Sequence, residues 1–261
     1  MSLAGFEETE FEFEGKRKVV YRRGSGPAVV VMHEMPGITP AVAAFGRRVA
    51  DEGFTVFMPV LFGTVGKPPS LGYALNQIAR ACISWEFTAL TRGQSSPVTV
   101  WLRALCRYAH EECGGPGVGA LGMCFTGNFA LSLMVDETVM APVLSQPSLP
   151  FPLSAAHKRD LAVSDEELAV IKERVGQGCK VLGLAFSEDG MVPAERFERL
   201  RQELGEGFEG IIIDSSPGNP YGIARTAHSV VTNDLVDEEG HPTQAALHRV
   251  LSFFRERLQV D

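Results

Sequence analysis

Residues 118–127 are VGALGMCFTG, a short apolar run that leads through a glycine into a cysteine and an apolar helical pattern. The run follows the Gly-Gly-Pro sequence at residues 114–116, and a short apolar run bounded in this way predicts a buried strand. The helical pattern begins at Phe125, so only a tight turn separates the strand from the helix. A strand that passes directly into a helix is typical of an α/β protein with a parallel sheet.

Similar strand and helix patterns alternate along the rest of the chain. The strand patterns cover residues 19–21, 28–32, 55–58, 118–121, 140–144, 180–186 and 210–214. The helical patterns cover residues 39–53, 98–113, 125–135, 164–175, 194–204 and 242–258. This alternation predicts an α/β fold whose mainly parallel sheet carries helices on both faces. We expect one domain over residues 1–261, from which residues 62–96 depart as an irregular excursion that forms part of a pocket wall.

Composition and charge narrow the classes of function. The formal net charge of the 261 residues is −8, and an acidic balance disfavours nucleic acid as a partner. No apolar run approaches the roughly 18 residues of a transmembrane helix, and the acidic N-terminus lacks the apolar core of a signal peptide. The five cysteines form no CxxC pair, so we expect no disulfide framework, metal site or cofactor, and a cytoplasmic location.

Cys124 occupies the place at which a strand-to-helix turn presents a nucleophile. Gly122 stands two residues before it, as expected. A second glycine is expected two residues after the nucleophile, at position 126, but the chain has its glycine at position 127. Thr126 takes the expected glycine position. The N–H of Phe125 would lie at a helix N-terminus, where it favours a thiolate and offers one oxyanion donor. The alternative is a buried structural cysteine at such a turn.

A cysteine nucleophile for acyl transfer also needs a base, and the chain order nucleophile, acid, histidine is that of α/β-hydrolases. His228 follows the last predicted strand, where this order places the base. His157 precedes the predicted acid strand, His241 stands just before the last helix, and His248 lies within it. Chain order therefore favours His228 as the base over an ordinary loop histidine.

The orienting acid is expected at the carboxyl end of the strand pattern over residues 180–186. We prefer Asp189, because its short side chain precedes Gly190 at a tight turn and reaches a fixed point at a small entropy cost. Glu188 qualifies by position and is expected to be a solvated neighbour. Asp214, at the end of the next strand, is the second choice.

The loop after the second strand pattern is HEMPG at residues 33–37, and it should supply the second oxyanion donor. Pro36 has no N–H, so Met35 is the candidate. Glu34 is expected to place a carboxylate near the thiol, with a surface position at the strand end as the alternative. His33 is expected to be a buried hydrogen-bonding residue and not the base.

Together these motifs resemble the dienelactone hydrolase family of α/β-hydrolases. The motifs are HEMPG at 33–37, GMCF at 122–125, DGMVP at 189–193 and His228, and the resemblance covers residues 19–258. The resemblance implies Cys124 as nucleophile, His228 as base and Asp189 as orienting acid. It also implies that Glu34 is the carboxylate that contacts the resting cysteine.

The same resemblance implies an oxyanion hole formed by the N–H groups of Met35 and Phe125. Dienelactone hydrolases also hold a substrate carboxylate with two arginines, one of them shortly after the catalytic histidine. Residues 229–234 contain no arginine, so the candidates are Arg80 in the excursion and Arg225 before the histidine.

The sequence therefore predicts a hydrolase that cleaves a small ester or lactone through a cysteine acyl-enzyme, with the substrate and the oligomeric state unassigned. Two alternatives remain open. Thr126 in the turn and the absent arginine favour a non-catalytic binding protein with the same fold. A redox-responsive protein would instead use Cys124 as its sensor.

Overall fold

One sheet of eight strands forms the centre of the fold. The computed structural model describes residues 3–68, 70, 72–73, 76–77 and 96–259. The strands are β1 (Glu7–Phe13), β2 (Lys16–Gly24), β3 (Ala28–Met32), β4 (Thr55–Pro59), β5 (Val118–Met123), β6 (Val139–Ser145), β7 (Val181–Phe186) and β8 (Phe208–Ile213). Their order in the sheet is β1-β2-β4-β3-β5-β6-β7-β8.

The sheet is parallel from β4 through β3 to β8, whereas β1 and β2 are antiparallel at one edge. The predicted α/β fold with a mainly parallel sheet is therefore confirmed. Every residue of β3 and β5 is buried, which explains why their sequences are apolar without interruption.

β1 is absent from the sequence-based prediction. Its sequence, EETEFEF, is rich in glutamate, which is depleted in strands. Contacts with other elements compensate: the ring of Phe11 lies 5.3 Å from that of Trp101 on the helix at residues 97–113, and Glu12 accepts a hydrogen bond from Arg17 on β2 at 2.8 Å. Pairing with β2 therefore outweighs the low strand propensity of the segment.

Helices cover both faces of the sheet, as predicted. They include α1 (Pro40–Asp51), α2 (Pro97–Cys113), α3 (Phe129–Leu133), α4 (Ala155–Arg159), α5 (Asp165–Gly176), α6 (Ala194–Leu204) and α7 (Pro242–Leu258). α1 and α7 share a core with Val29 and Val31, and α2, α3, α5 and α6 share the other core with Val30 and Met32. Successive strand side chains alternate between faces, so β3 contributes to both cores.

None of the helices in the described part of the chain is long and apolar enough to cross a lipid bilayer.

The middle of the sheet contains a topological switch point. From β3 the chain passes through α1 to β4 on one side, and β5 lies on the other side of β3. The loops after β3 and β5 therefore separate and leave a crevice at the carboxyl ends of the strands, where open α/β sheets bind ligands. Glu34 and Met35 follow β3, and Cys124 follows β5.

The prediction of one continuous helix over residues 125–135 is wrong about where the helix begins and ends. Residues Cys124–Thr126 form a 3₁₀ turn, and α3 begins only at Phe129. The N–H of Gly127 donates to the carbonyl oxygen of Cys124, three residues earlier, at 3.0 Å, and this bond tightens the turn. The N–H of Phe125 therefore belongs to a tight turn and not to the first turn of a long helix.

Candidate active site

Cys124 lies at the apex of the turn after β5 in a left-handed backbone conformation, with φ of 53°. A residue other than glycine adopts this costly region only where its surroundings impose it. Gly122 permits the turn, because a Cβ atom at this position would lie 2.1 Å from the carbonyl oxygen of Thr126. The strained turn therefore holds a half-buried thiol at the carboxyl edge of the sheet.

The unusual glycine spacing of this turn has a structural reason. Thr126 is buried, and its hydroxyl accepts the N–H of Met123 at 3.0 Å and donates to the carbonyl oxygen of Met32 at 2.9 Å. The threonine thus ties the turn to the end of β3. The close backbone approach falls one residue later, since a Cβ atom on Gly127 would lie 2.4 Å from the Cα of Pro147.

His228 and Asp189 meet although they are 39 residues apart in sequence. Nδ1 of His228 lies 2.5 Å from Oδ2 of Asp189, and Oδ1 of Asp189 accepts the N–H of Met191 at 3.0 Å. Both carboxylate oxygens are therefore engaged, and the side chain is 4% exposed. The other ring nitrogen of His228, Nε2, is buried and has no hydrogen bond of normal geometry to any described residue.

The imidazole of His228 also interacts with Cys124. Burial lowers the pKa of His228, but the hydrogen bond to Asp189 and the contact and charge interaction with Cys124 outweigh burial and raise the pKa to about 11. The protonated ring is therefore the stable form near neutral pH. The thiol, the imidazole and the carboxylate that the sequence singled out lie together at one edge of the sheet.

A second aspartate organises the histidine loop, residues 228–234. Oδ2 of Asp234 accepts the backbone N–H groups of His228 at 2.8 Å and of Ser229 at 2.7 Å. These bonds close the loop on itself, as short polar side chains commonly do with nearby backbone. The imidazole is therefore carried by a backbone of defined conformation.

Glu34 is bound to the histidine loop. Its side chain is 1% exposed, and both carboxylate oxygens accept hydrogen bonds. Ser229 donates to Oε2 at 2.7 Å and Thr232 donates to Oε1 at 2.5 Å. Asn233 and Gln146 add amide donors at 3.2 and 3.3 Å. Four neutral donors thus compensate the burial of this carboxylate.

This arrangement differs from the contact between Glu34 and Cys124 that the resemblance implies. The hydrogen bonds of the carboxylate run to the histidine loop and to Gln146, whereas the thiol contacts Oγ of Ser148 at 3.6 Å. The contact of Glu34 with the resting cysteine stays a prediction.

Sequence reasoning did not single out Ser229, Thr232 or Ser148. For the first two a signal exists, because polar residues stand one, four and five positions after His228 in a segment without helical or strand pattern. A buried glutamate needs such donors. For Ser148 no comparable pattern marks the sequence.

Thr232→Val tests whether hydrogen bonds offset the cost of burying the charge of Glu34, because it removes one hydroxyl donor and keeps the side-chain shape. Burial raises the pKa of Glu34, and the Thr232 and Ser229 hydroxyls oppose that shift. A raised folded-state pKa means that ionisation of Glu34 costs stability as pH rises, and the variant increases this cost. We expect a loss of about 1.5–3 kcal/mol in the free energy of unfolding in urea, greater at about pH 9 than at about pH 5.

Thr55→Val is the matched control for this variant. The buried Thr55 hydroxyl donates to the carbonyl oxygen of Gly26 at 2.7 Å, and this acceptor does not titrate. Its loss of stability should therefore be the same at both pH values. An equally pH-independent loss for Thr232→Val would show that the charge of Glu34 is not what Thr232 compensates.

The loop that carries Met35 is fixed by His33. Nε2 of His33 accepts the N–H of Leu61 at 3.1 Å, so Nδ1 carries the proton and donates to the carbonyl oxygen of Glu34 at 3.1 Å. Burial lowers the pKa of His33 to about 4, so the ring is neutral above that pH. His33 thus holds the peptide between Glu34 and Met35, and with it the N–H that is the candidate oxyanion donor.

The described start of the excursion at residues 62–96 packs against the turn. The ring of Phe62 lies 5.7 Å from that of Phe125 and 4.4 Å from that of His33. An apolar wall therefore stands beside Cys124. The remainder of the excursion, with the exception of a few residues, lies outside the described residues, as does Arg80.

Comparison with known proteins identifies one family. A profile of the dienelactone hydrolase family matches residues 17–258, which is most of the chain. The chain belongs to the dienelactone hydrolase family. Membership makes this protein a hydrolase of ester or lactone bonds.

Individual relatives of this dienelactone hydrolase family member are distant. A Saccharomyces cerevisiae protein named "Putative carboxymethylenebutenolidase" is 22% identical over 246 residues, covering 92% of this chain and 84% of the yeast protein. A dienelactone hydrolase from Anabaena variabilis has a TM-score of 0.63 at 14% identity and covers 98% of this chain and 100% of its own. A cold-adapted esterase from an Arctic intertidal metagenomic library has a TM-score of 0.61 at 14% identity, with 99% and 97% covered. The two structures show the shared fold.

Arg225 shares a cavity with His228 and Asp189. Its Nε lies 3.2 Å from Oε2 of Glu188, and its side chain is 72% exposed. The two residues line a cavity of about 310 Å³ together with Asp189, Met191 and His228. Glu188 is therefore the ion-pair partner of Arg225, while Asp189 is the carboxylate bonded to the imidazole.

The remaining acid and histidines that the sequence offered occupy other places in the fold. Asp214 is exposed at the end of β8 and accepts the N–H of Ser216 at 2.9 Å. His241 caps α7, His248 is exposed on α7, and His157 belongs to α4. Among the residues with described positions, no group of three or more His, Cys, Asp and Glu side chains is arranged to hold a metal ion.

Proposed function

We propose that this protein hydrolyses a small ester or lactone through a covalent thioester on Cys124. The observation that carries the proposal is the double interaction of His228, which bonds Asp189 at 2.5 Å and interacts with Cys124. An imidazole placed between a carboxylate and a thiol is the arrangement that activates a cysteine nucleophile. Asp189 orients the ring and stabilises its protonated form.

In the acylation step the thiolate of Cys124, paired with the imidazolium of His228, attacks the carbonyl carbon of the substrate. A C–S bond forms, and the carbonyl electrons move to the oxygen, which the N–H groups of Met35 and Phe125 stabilise. Collapse of this intermediate breaks the C–O bond. The departing alkoxide takes the Nε2 proton of His228 and leaves as an alcohol, which stays attached to the acyl group when the substrate is a lactone.

In the deacylation step His228 changes its role. Acylation removes the charge of the Cys124 sulfur, so one of the causes that raise the pKa of His228 disappears. The neutral imidazole then accepts a proton from water, whose oxygen attacks the thioester carbonyl. Cleavage of the C–S bond returns the electron pair to sulfur and releases the carboxylic acid. The net reaction adds one water across one ester bond.

Two features of the site indicate what kind of substrate it would accept: a charged side chain, Arg225, and an apolar surface formed by Phe62 and Phe125. We assign Arg225 as the contact for a polar or anionic substrate group, because it shares a cavity with His228 and its exposed ion pair with Glu188 is weak. Phe62 and Phe125 provide apolar contacts beside Cys124. The histidine loop, which binds Glu34 through neutral donors, offers no arginine to a dienelactone carboxylate.

Acyl-enzyme trapping tests the proposal directly. The protein is mixed with p-nitrophenyl acetate and quenched in acid, and the peptides are examined by mass spectrometry. We expect a mass increase of one acetyl group on the peptide that contains Cys124, and a burst of p-nitrophenolate before steady turnover. Prior alkylation with iodoacetamide should abolish both.

Two results would support the other classes of protein instead. A binding protein would release no p-nitrophenolate and carry no acetyl group. A redox sensor would show oxidation of Cys124 by peroxide without ester turnover.

A further inference from the structure

We infer that Ser148 is a second hydrogen-bond donor to the sulfur of Cys124, acting on the thiolate in the resting enzyme and on the departing thiolate during deacylation. The inference rests on the proposed role of Cys124 as nucleophile and adds a residue to that site. His228 approaches the sulfur from the loop after β8, and Ser148 approaches it from the loop after β6.

Ser148 contacts Cys124 through both its backbone and its side chain. Its N–H donates to the carbonyl oxygen of Cys124 at 3.0 Å, and its Oγ lies 3.6 Å from Sγ, within the range of an O–H···S hydrogen bond. Ser148 is fully buried. A buried hydroxyl held in this way is not diverted to solvent when the sulfur becomes charged.

The hydroxyl of Ser148 has one proton and two acceptors within reach. Besides Sγ of Cys124, the carbonyl oxygen of Gln146 lies 3.1 Å from Oγ. A hydroxyl hydrogen rotates to the better acceptor, and a thiolate is better than a neutral sulfur because the bond is charge-assisted. The proton should therefore point at Sγ when the sulfur is anionic and at Gln146 when the sulfur is a thiol or an acylated thioester. No bond to hydrogen breaks in this rotation.

Arg196 fixes the backbone of the loop that carries Ser148 through hydrogen bonds. This arginine is completely buried on α6, and its guanidinium donates to the carbonyl oxygens of Pro147 and Pro150, each at 2.6 Å. These two contacts flank Ser148 in sequence. The hydroxyl is thus placed in advance of the reaction, so its response to charge on sulfur requires only rotation about one bond.

Alkylation of Cys124 by iodoacetamide as a function of pH tests this role, because it reports on the thiolate without requiring turnover. In Ser148→Ala the pH of half-maximal alkylation should rise by about one unit, which corresponds to about a tenfold smaller thiolate fraction on the acid side. Acetyl-enzyme breakdown, measured after a pulse of p-nitrophenyl acetate, should slow by about tenfold, since a charge-assisted hydrogen bond to the departing sulfur is lost.

Three further variants separate the hydroxyl from the shape of the site. Ser148→Thr keeps the hydroxyl and should restore both measurements. Ser148→Gly also lacks the hydroxyl and should shift the profile as Ser148→Ala does, which covers the case that Ser148→Ala does not fold. Ser132→Ala removes a buried hydroxyl on α3, where it bonds Arg103 at 3.0 Å, and should leave the alkylation profile unchanged.

The inference is overturned if Ser148→Ala, folded by circular dichroism, alkylates with the pH profile of the parent protein. It is also overturned if Ser132→Ala shifts the profile as much. Failure of the proposed function is a distinct result: the parent protein would then form no acetyl-enzyme at all, whatever residue occupies position 148.

Discussion

Cys124→Ala is expected to reduce hydrolysis of p-nitrophenyl acetate by at least about 10⁴-fold. In the proposed mechanism the Cys124 sulfur forms the covalent bond to the substrate, and alanine offers no replacement for it. Any residual rate would come from the oxyanion donors and from substrate binding, which a triad variant retains. The turn itself should persist, because Gly122 and Thr126 hold it through backbone and hydroxyl contacts that do not involve the thiol.

Cys113→Ala is the matched control for this loss. Cys113 is a half-buried free cysteine at the end of α2, so its replacement removes a thiol and leaves Cys124, Asp189 and His228 in place. We expect turnover equal to that of the parent protein. Undiminished hydrolysis by a folded Cys124→Ala protein would contradict the cysteine mechanism and favour another nucleophile for this family member.

Asp189→Asn is expected to lower kcat by about 10³–10⁴-fold. Oδ1 of Asp189 accepts the N–H of Met191, so the asparagine would keep its carbonyl oxygen there and turn its NH₂ group toward Nδ1 of His228. Nδ1 would then have to accept, and the proton of the neutral ring would move to Nε2. In that tautomer the ring cannot accept a proton from Cys124 or from water, so both steps slow.

The same substitution should change the titration of His228. In the parent protein burial lowers the pKa of His228, but Asp189 and Cys124 raise it to about 11, above the ordinary value of 6.5. A histidine with a raised folded-state pKa stabilises the fold fully below about pH 6.5, and this stabilisation is lost as pH rises toward 11. Asp189→Asn removes one cause of the raised pKa. The imidazole titration followed by NMR should therefore move to lower pH, and the alkaline loss of stability should shrink.

Asp214→Asn provides the control, since Asp214 is the second acid that the sequence offers. It is exposed and bonded to the backbone of Ser216. We expect kcat and the His228 titration to stay at the values of the parent protein. A loss of kcat in Asp214→Asn as large as that in Asp189→Asn would show that the acid is wrongly assigned.

Much of the candidate site could be predicted from chain order. Cys124, Asp189 and His228 each follow a strand pattern, and all strands of a parallel sheet end at the same edge. Residues far apart in sequence are therefore expected to meet there, as the thiol, the imidazole and the carboxylate do. The preference for Asp189 over Glu188 also agrees with the observed bond, because the shorter side chain is the one that reaches His228.

Other features could not be predicted, because they depend on tertiary contacts and not on a local pattern. β1 pairs with the neighbouring strand β2 and packs on Trp101, against the low strand propensity of its glutamates. Three of the four donors to Glu34 lie 195 to 199 residues later, in a segment without helical or strand pattern, and the fourth, Gln146, lies 112 residues later. The helix expected from Phe125 begins instead as a 3₁₀ turn. The Thr126 hydroxyl bonds the carbonyl oxygen of Met32 at the end of the neighbouring strand β3, and the backbone of Gly127 lies in close contact with Pro147.

The sequence by itself determined most of the strands and helices and which chemical groups stand at strand ends, because apolar periodicity and turn residues are local properties. Only the tertiary structure decided that Glu34 bonds the histidine loop, that Thr126 is accommodated in the turn and that Ser148 reaches the sulfur of Cys124. Those contacts depend on loop conformations, and the packing of distant segments sets them.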